Sequence, residues 1–243
     1  MLVRMNLEIA QAKLFAATHV AVLTGAGISA ESGIPTFRDA QTGYWARFNP
    51  QELASPQAYA NDPDLVWRWY AERFETCGKA QPNAAHTALA KLEQELSLTL
   101  VTQNVDRLHQ RAGSQNVLEL HGNIVTSRCE KCRHIQDLLP GFVPPPTCEK
   151  CGSRMRPNVV WFSEMLPRDV LERAALAFET CDVALVIGTS SVVEPAASLG
   201  RIAKESGALL IEINPEVTPL SQHADLRISS GAVKGLGALL KTL

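Results

Sequence analysis

The chain contains five short apolar runs that are separated by helical patterns. The runs are VAVLTGAG from Val20, LTLVTQN from Leu98, VALVIGTSS from Val183, ALLIEINPE from Ala208 and ADLRISSGA from Ala224. The first four are continuous rather than alternating, which is typical of strands that helices cover on both faces. We therefore predict an α/β fold with a Rossmann-like parallel sheet and helices on both of its faces.

Each run ends in small or polar residues. These tails occupy residues 25–27, 103–104, 188–191, 214–216 and 229–232. In an open parallel sheet, the ligand crevice lies beyond the carboxyl ends of the strands. We therefore expect the five tails to converge on one binding site at a single edge of the sheet.

The composition is that of an ordinary globular protein. The 243 residues are 46% hydrophobic, enough for one large domain or for a large domain that carries a smaller one. Lys and Arg number 23 against 25 for Asp and Glu, so the net charge of -2 gives no general attraction for nucleic acid or anionic membranes. We find neither a signal-peptide pattern nor an apolar run of the roughly 18–20 residues that cross a bilayer. We expect a cytoplasmic protein.

Cysteines form two CxxC pairs that are separated by residues 133–147. The pairs are Cys129 with Cys132 and Cys148 with Cys151. This spacing indicates a four-cysteine zinc site, with a redox or disulfide pair as the alternative. Four thiolates fill a tetrahedral ion and leave no position for water, so we predict a structural zinc. We expect Cys77 and Cys181 to be buried thiols.

Two segments do not follow the alternation of strands and helices. The first, from TFRDAQTGYW to Gln81, is predicted to be a loop followed by helices. The second is predicted to be a zinc ribbon, in which residues 144–146 link the two CxxC pairs. We place a smaller lobe at 38–81 (helical module) and 125–158 (zinc ribbon), which leaves 1–37, 82–124 and 159–243 for the large lobe of a single domain.

The first apolar run leads into a glycine motif. Gly25, Gly27 and Ala30 match the GxGxxG/A pattern, in which glycines let backbone N–H groups approach a pyrophosphate. Glycines needed for packing in a strand-to-helix turn are an equal alternative. A dehydrogenase would place a second strand and an acidic residue about 20 residues further on. The stretch ESGIPTFRDAQTGYW is loop-like instead, which disfavours that class of enzyme.

Several long motifs occur together and in one order. They are GAGISAESGIPTFRDAQTGYW, TQNVDRLHQRAG, ELHGN, the double CxxC, GTSSVVEPA and INPE. Through these motifs, from about Val20 to Ala232, the chain closely resembles the sirtuins, which are NAD-dependent protein-lysine deacylases. The resemblance implies that NAD and acylated-lysine proteins or peptides are the substrates. The implied products are nicotinamide, O-acyl-ADP-ribose and free lysine.

The resemblance assigns catalytic roles to three polar residues, each of which also has a structural alternative. His121 corresponds to the general base that deprotonates a ribose hydroxyl, although a lone histidine is otherwise most often structural. Asn104 would order the nicotinamide ribose and a water, and Asp106 would face the nicotinamide carboxamide. Asn and Asp at a strand end also serve as turn and helix caps.

The implied NAD contacts lie on the strand tails and on the loop after the glycine motif. The loop of Phe37 and Arg38 would close over the nicotinamide ribose and exclude water. The other positions are Gly25, Ala26, Gly27, Ser29 and Gln103, then Gly188, Thr189 and Ser190 at phosphate or ribose, Asn214, Pro215 and Glu216 at the adenosine ribose, and Ala232 near the adenine. Ordinary strand-end turns are the alternative for the later groups.

Two further segments match those between which sirtuins hold the substrate peptide as an added strand. They are Val160, Trp161 and Phe162, and residues 191–194 with Val192 and Val193. Strand addition uses main-chain hydrogen bonds and tolerates many sequences, whereas simple core packing of VVWF is the alternative. Ser163 stands where the family usually has glycine, and Glu194 stands where an apolar or aromatic residue is common.

Tyr70 and Arg73 lie three residues apart on one face of a predicted helix. A solvated helix face is the default interpretation of this spacing. The sirtuins that remove succinyl and malonyl groups carry the same Tyr-x-x-Arg, and Ala54 aligns with a small residue of their acyl pocket. A guanidinium can hold a carboxylate through two hydrogen bonds while a phenol donates a third. We therefore predict a preference for acidic acyl groups, with acetyl also accepted.

Two other functions are alternatives. A mono-ADP-ribosyltransferase would use the same fold and the same NAD carbon but transfer ADP-ribose to protein. A zinc-ribbon nucleic-acid module would need a basic stripe with aromatic partners, and the ribbon supplies few positive charges. We expect a monomer that binds neither nucleic acid nor membranes.

Overall fold

The computed structural model describes residues 6–36 and 49–241, apart from the side chains of residues 50 and 51. Phe37 and Arg38 lie outside the described residues, so their role at the nicotinamide ribose stays a prediction. Among the helices of the described residues, none combines the length and the apolar character that a membrane crossing requires.

The strands in the described part of the chain form two sheets. In chain order they are β1 (Val20–Thr24), β2 (Leu98–Thr102), β3 (Val117–Glu119), β4 (Gly122–Cys129), β5 (Ile135–Asp137), β6 (Met155–Val159), β7 (Val183–Ile187), β8 (Leu209–Ile213) and β9 (Leu226–Ile228). A six-stranded parallel sheet has the order β3-β2-β1-β7-β8-β9, and β5-β4-β6 form an antiparallel sheet. The predicted Rossmann-like parallel sheet is confirmed, and all five predicted strands belong to it.

The parallel sheet grows outward from its centre in two directions. The chain passes through β1, β2 and β3 toward one edge, and through β7, β8 and β9 toward the other. β1 and β7 are neighbours, with Val20 opposite Val183 and Thr24 opposite Ile187. Open α/β sheets bind their ligands where the strand order reverses in this way. β3, which ends two residues before His121, is not among the five predicted strands.

Capping residues explain where several helices begin. The helices are α1 (Leu7–Phe15), α2 (Pro50–Leu53), α3 (Pro56–Asn61), α4 (Pro63–Lys79), α5 (Ala84–Glu95), α6 (Leu108–Arg111), α7 (Arg168–Thr180), α8 (Leu199–Glu205) and α9 (Ala232–Leu240). The side chains of Asn6, Ser55, Asp62 and Asn83 each accept a hydrogen bond from a backbone N–H of the first turn. Proline follows the cap in α3 and α4, where its fixed φ suits the first turn.

Two apolar clusters cover the two faces of the parallel sheet. On one face, Val20, Val22 and Leu100 pack with α1, α5 and α9. On the other face, Ala21 and Leu23 pack with α7 and α8. Successive strand residues point to opposite faces, so a continuous apolar strand contributes to both clusters. The predicted helices on both faces are therefore confirmed.

A third apolar cluster joins α4 to the antiparallel sheet. It contains Trp67 and Tyr70 of α4, together with Ile124 of β4 and Met155 of β6. Tyr59 Oη and Trp67 Nε1 both donate hydrogen bonds to Met155 O, at 2.7 and 3.0 Å. The helices and the ribbon therefore pack together, while the residue boundaries given above for the two lobes stay a prediction.

Candidate active site and metal centre

The ends of β1 and β7 lie in close contact. Gly25 N–H donates to Ile187 O at 3.0 Å, and Gly27 N–H donates to Gly188 O at 2.8 Å. A Cβ on Gly25 would lie 2.8 Å from Gly188 O, and a Cβ on Gly27 would lie 2.8 Å from Gly188 Cα. Gly188 has a φ of +61°, in the left-handed region that favours glycine. Packing of the two strand ends therefore requires these glycines. That Gly25, Ala26 and Gly27 also contact NAD stays a prediction.

The polar tails of three strands meet at Thr189. Gln103 Nε2, after β2, donates to Thr189 Oγ1 at 2.8 Å. Asn214 Nδ2, after β8, donates to Thr189 O at 2.6 Å, and Glu216 N–H donates to Asn214 Oδ1 at 3.1 Å. Ala232 is buried at the start of α9. The structure therefore brings residues 103, 188–190 and 214–216 together at one edge of the sheet.

Ser29 and two residues of the QNVD segment form a hydrogen-bonded cluster beside the glycine motif. Asn104 Nδ2 donates to Gly25 O at 3.1 Å and to Ser29 Oγ at 3.2 Å. Ser29 Oγ donates to Asp106 Oδ2 at 2.7 Å, and Leu108 N–H donates to Asp106 Oδ1 at 2.9 Å. The Asp106 side chain is buried, so these two bonds fix its position. Asn104 and Asp106 are thus held together by Ser29.

His121 lies half-buried just after β3. Its Nδ1 lies 2.8 Å from Gln103 O. A carbonyl oxygen only accepts hydrogen bonds, so Nδ1 carries the proton and Nε2 keeps the lone pair. Burial lowers the pKa of His121 below its ordinary value, and the bond to Gln103 O opposes this shift only in part. The ring is therefore neutral at pH 7, with Nε2 able to accept a proton.

The first predicted peptide segment is fixed by main-chain hydrogen bonds. Val160 N–H donates to His121 O and Phe162 N–H donates to Ala54 O, each at 2.9 Å. Trp161 is buried, whereas Phe162 is 37% exposed. Core packing, the alternative for this segment, therefore accounts for Trp161 but not for Phe162. Ala54 is buried beside the same segment.

The second predicted peptide segment exposes Val192 and Val193. Glu194, next to them, accepts a hydrogen bond from Arg201 Nη2 at 3.0 Å, so its charge is paired. Ser163, the other departure from the family pattern, has a φ of +71°. That conformation strains a residue with a Cβ, which is a physical reason for glycine at this position in the family.

Tyr70 is buried against Trp161. Trp161 Nε1 donates to Tyr70 Oη at 3.0 Å. Burial raises the pKa of Tyr70 to about 12, against the effect of the Arg73 charge, so the phenol is protonated at neutral pH. Arg73 is half-buried, with its guanidinium carbon 5.0 Å from the centre of the Trp69 ring. The solvated helix face, which was the alternative, does not describe Tyr70.

Two buried histidines that the sequence did not predict as site residues lie next to the cluster of Ser29, Asn104 and Asp106. The rings of His86 and His109 lie 4.9 Å apart. His86 Nε2 lies 3.5 Å from Ser29 Oγ, and His109 Nε2 lies 2.9 Å from Thr24 Oγ1. Burial lowers the pKa of His86 to about 4 and that of His109 to about 3, so both rings are neutral. No spacing or composition signal distinguishes either one from an ordinary helical histidine.

The four predicted zinc ligands form one cluster. The Sγ atoms of Cys129, Cys132, Cys148 and Cys151 all lie within 4.8 Å of one another. Three of the sulfur–sulfur separations are 3.5, 3.6 and 3.5 Å. A tetrahedral zinc ion with Zn–S bonds of about 2.3 Å places its sulfurs about 3.8 Å apart, so the donor set fits zinc. Cys77 and Cys181 are buried free thiols, as predicted.

The sheet order and its polar edge define a class of protein. In this parallel sheet the strand order reverses between β1 and β7, beside a glycine-rich strand tail. This is the topology of dinucleotide-binding α/β proteins. A neutral imidazole and a buried carboxylate lie at the same edge, and four thiolates lie in the antiparallel ribbon. The fold and the site therefore define a Rossmann-like enzyme with a structural metal centre.

Comparison with known proteins identifies the family. The model of the Sir2 family matches residues 25–195. The NAD-dependent protein deacylase of one Thermus thermophilus strain is 57% identical over 240 residues, covering 97% of this chain and 94% of that protein. The Deinococcus radiodurans protein of the same name is 53% identical over 244 residues, covering 98% and 99%. The chain belongs to the Sir2 family, and the resemblance to the sirtuins is confirmed.

Solved structures have the same fold over nearly the whole chain. The crystal structure of a Sir2 homolog–NAD complex has a TM-score of 0.92 and 49% identity, covering 98% of this chain and 93% of that chain. A complex of Sir2 with a p53 peptide and NAD⁺ has a TM-score of 0.87 and 34% identity, covering 98% of each chain. The predicted combination of a Rossmann-like sheet with a four-cysteine ribbon is confirmed.

Proposed function

We propose that this protein is an NAD-dependent protein-lysine deacylase that favours succinyl and malonyl groups and also accepts acetyl. The products are nicotinamide, O-acyl-ADP-ribose and free lysine. The relatives named NAD-dependent protein deacylase and the related NAD complex support the NAD-dependent reaction. One observation carries the acidic preference: a buried phenol at Tyr70, with Arg73 on the same face of α4. The protein acts as a cytoplasmic monomer without nucleic acid.

Bound NAD would supply an electrophilic ribose carbon, C1′, with nicotinamide as its leaving group and the acyl oxygen as the attacking nucleophile. We assign the nicotinamide end to Asn104 and Asp106, the phosphates and inner ribose to residues 188–190 and the glycine motif, and the adenosine end to residues 214–216. The hydrogen bonds around Thr189 support this order along the sheet edge. The buried carboxylate of Asp106 can accept from a carboxamide N–H because its position is already fixed.

His121 is the proposed general base. Its Nε2 lone pair accepts the proton of a ribose hydroxyl, which makes that oxygen nucleophilic toward the acyl carbon. Its lowered pKa keeps the ring ready to accept a proton at neutral pH. The Val160 N–H bond to His121 O ties the base to the proposed peptide segment, so base and acyl-lysine share one support.

The substrate peptide adds as a strand between residues 160–162 and 191–194. Phe162, Val192 and Val193 are exposed, and main-chain hydrogen bonds make the binding tolerant of sequence. The zinc ion, held by the four cysteines, supplies stability to the ribbon from which the first of these segments leaves. Four thiolates leave no open position, so the ion takes no part in the reaction.

The acyl pocket is assigned to Ala54, Tyr70 and Arg73. Ala54 contacts the Trp161 segment through the Phe162 bond, and Tyr70 contacts it through the indole N–H. The Arg73 guanidinium can hold a carboxylate through two parallel bonds, and the protonated phenol can donate a third. Acetyl lacks the carboxylate and enters the same space without these bonds.

The experiment compares acetyl, succinyl and malonyl versions of one lysine peptide with NAD. We expect a higher kcat/KM for the succinyl and malonyl peptides than for the acetyl peptide. Arg73→Met should lower the kcat/KM for the succinyl and malonyl peptides by roughly 10- to 100-fold and leave the value for the acetyl peptide unchanged. Arg68→Met is the matched control, because Arg68 is exposed on the same helix. Mass analysis should show O-acyl-ADP-ribose and free lysine.

Two results would contradict the proposal. If Arg73→Met lowered succinyl and acetyl removal by the same factor, the acidic preference would be wrong. If the mass analysis showed ADP-ribose attached to the peptide and no free lysine, the protein would be a mono-ADP-ribosyltransferase.

A further inference from the structure

Arg156 and Glu164 form an ion pair in which the arginine is buried and the glutamate is half-buried. Arg156, on β6, is 9% exposed, and its Nη1 and Nη2 donate to the two carboxylate oxygens of Glu164 at 2.6 and 2.8 Å. This two-pronged geometry fixes direction as well as distance. Burial raises the pKa of Glu164, but hydrogen bonds from Arg156 and from Trp161 N–H outweigh it and hold the pKa below its ordinary value. The Glu164 carboxylate is therefore ionised at neutral pH.

The pair holds the main chain and the ring of Trp161. Arg156 Nη2 donates to Val159 O at 3.1 Å, and Trp161 N–H donates to Glu164 Oε2 at 2.9 Å. The Arg156 guanidinium carbon lies 3.5 Å from the centre of the Trp161 ring, which is a cation–π contact. Trp161 therefore has little freedom to rotate or to shift.

The fixed indole in turn determines which way Tyr70 can donate. An indole N–H is a donor only, so Tyr70 Oη accepts the bond from Trp161 at 3.0 Å. The phenol keeps its own hydrogen for a different acceptor. An acidic acyl group presents such an acceptor, whereas acetyl has no carboxylate.

We propose that Arg156 and Glu164 are positioning residues for acyl selectivity: they fix Trp161, and Trp161 holds the Tyr70 hydroxyl as a donor for an acidic acyl group. This inference rests on the proposed function and adds two residues that touch neither NAD nor the acyl group. Loosening the pair weakens the binding of succinyl peptides more than that of acetyl peptides.

Steady-state kinetics test the selectivity. Arg156→Lys keeps a positive charge but lacks the planar two-pronged group. We expect its KM for the succinyl peptide to rise about tenfold, as for loss of one hydrogen bond to a charged group, with kcat little changed and KM for the acetyl peptide within about twofold. Glu164→Gln should change the ratio in the same direction. Arg154→Lys, at an exposed position two residues earlier, is the control.

A second measurement follows Trp161 directly. In heteronuclear NMR spectra, the indole N–H signal that Trp161→Phe removes should shift in Arg156→Lys and in Tyr70→Phe, but not in Arg154→Lys. In a Tyr70→Phe background, Arg156→Lys should leave the succinyl-to-acetyl ratio unchanged, because both residues act through one contact. The remaining signals show whether each variant is folded.

The outcomes separate this inference from the proposed function. An unshifted Trp161 signal in Arg156→Lys overturns the positioning role. If Arg156→Lys and Glu164→Gln raise KM equally for the succinyl and acetyl peptides, the selectivity role is wrong. The proposed function still stands in that case if Arg73→Met alone lowers the activity on succinyl peptides. Absence of any Arg73-dependent activity on succinyl peptides overturns the proposed function and the selectivity role together.

Discussion

The edge of the parallel sheet and the proposed acyl pocket are built in different ways. At the sheet edge, close approach of backbone decides the geometry, because Gly25 and Gly27 touch Gly188 with no room for a Cβ. At the proposed acyl pocket, side chains decide the geometry, through the contacts of Arg156 with Trp161 and of Trp161 with Tyr70. A backbone site changes only if the strands move, whereas a side-chain site changes with one substitution. The sheet edge is therefore the more constrained of the two regions.

Burial of polar groups costs desolvation free energy in both regions, and each region limits this cost in a different way. Three histidines at the sheet edge, His86, His109 and His121, are neutral because burial lowers their pKa values. Beside the proposed acyl pocket, the buried Arg156 and the half-buried Glu164 instead form an ion pair, which costs desolvation and is stable only with complete hydrogen bonding. Removing one partner of such a pair is strongly destabilising, so substitutions that keep the charge or the shape are the informative ones.

Loss of a zinc ligand should break this comparison most completely. Cys129 of β4 lies opposite Met155, the residue before Arg156, so the metal supports the strand that carries the ion pair. Zinc contributes on the order of 10 kcal/mol to folding in small zinc modules. We expect Cys148→Ser to lose its zinc and its hydrogen-exchange protection in residues 122–159, while β1, β2 and β7 stay protected.

The control for this variant is Cys181→Ala, which alters a buried thiol in the apolar cluster that packs α7 and α8 on the parallel sheet. It should keep one zinc ion per chain. Full zinc content in Cys148→Ser, measured by elemental mass spectrometry, would show that the four thiolates do not hold the ion together.

Adding one methyl group at the sheet edge should have the next largest effect. A Cβ at position 27 meets the backbone of Gly188, so we expect Gly27→Ala to lower the free energy of unfolding by about 1–3 kcal/mol and to weaken NAD binding. Gly78→Ala is the matched control, because a Cβ there meets nothing within 4 Å. In a helix it should raise stability by up to about 1 kcal/mol. Urea unfolding measures both, and equal effects would contradict the backbone explanation.

Acid should reveal the neutral histidines at the sheet edge, with the smallest of the three effects. Burial holds the pKa of His109 at about 3, while an unfolded histidine has a pKa of about 6.5. Below about pH 6.5 the unfolded state therefore binds the proton that the folded state does not, and stability falls as the pH falls. We expect the free energy of unfolding to be lower at pH 5 than at pH 7 by on the order of 1–2 kcal/mol for this reason.

The measurement is urea unfolding of the protein and of His109→Gln at pH 7 and pH 5. Glutamine does not titrate, so the variant should lose less stability between the two pH values. An identical loss in both proteins would show that His109 is not the group responsible.

Much of the fold followed from residue order alone. Apolar runs predicted five of the six parallel strands, and four of these runs are continuous because burial on both faces leaves no polar alternation. The CxxC spacing predicted the metal cluster, because ligand chemistry restricts which residues can share one ion. β3 was missed because a strand of three residues has too few positions to show a pattern. It depends on pairing with β2 instead.

What the sequence determined on its own were the properties that neighbouring residues carry: strands, caps, the glycine turn and the thiol pairs. Only the tertiary structure placed Arg156 against Trp161, Trp161 against Tyr70, and two neutral histidines under the QNVD cluster. For the contact between Trp161 and Tyr70, the physical reason is separation along the chain, since these two residues lie 91 residues apart. A contact of that kind depends on how two packed elements meet, and no local pattern records it.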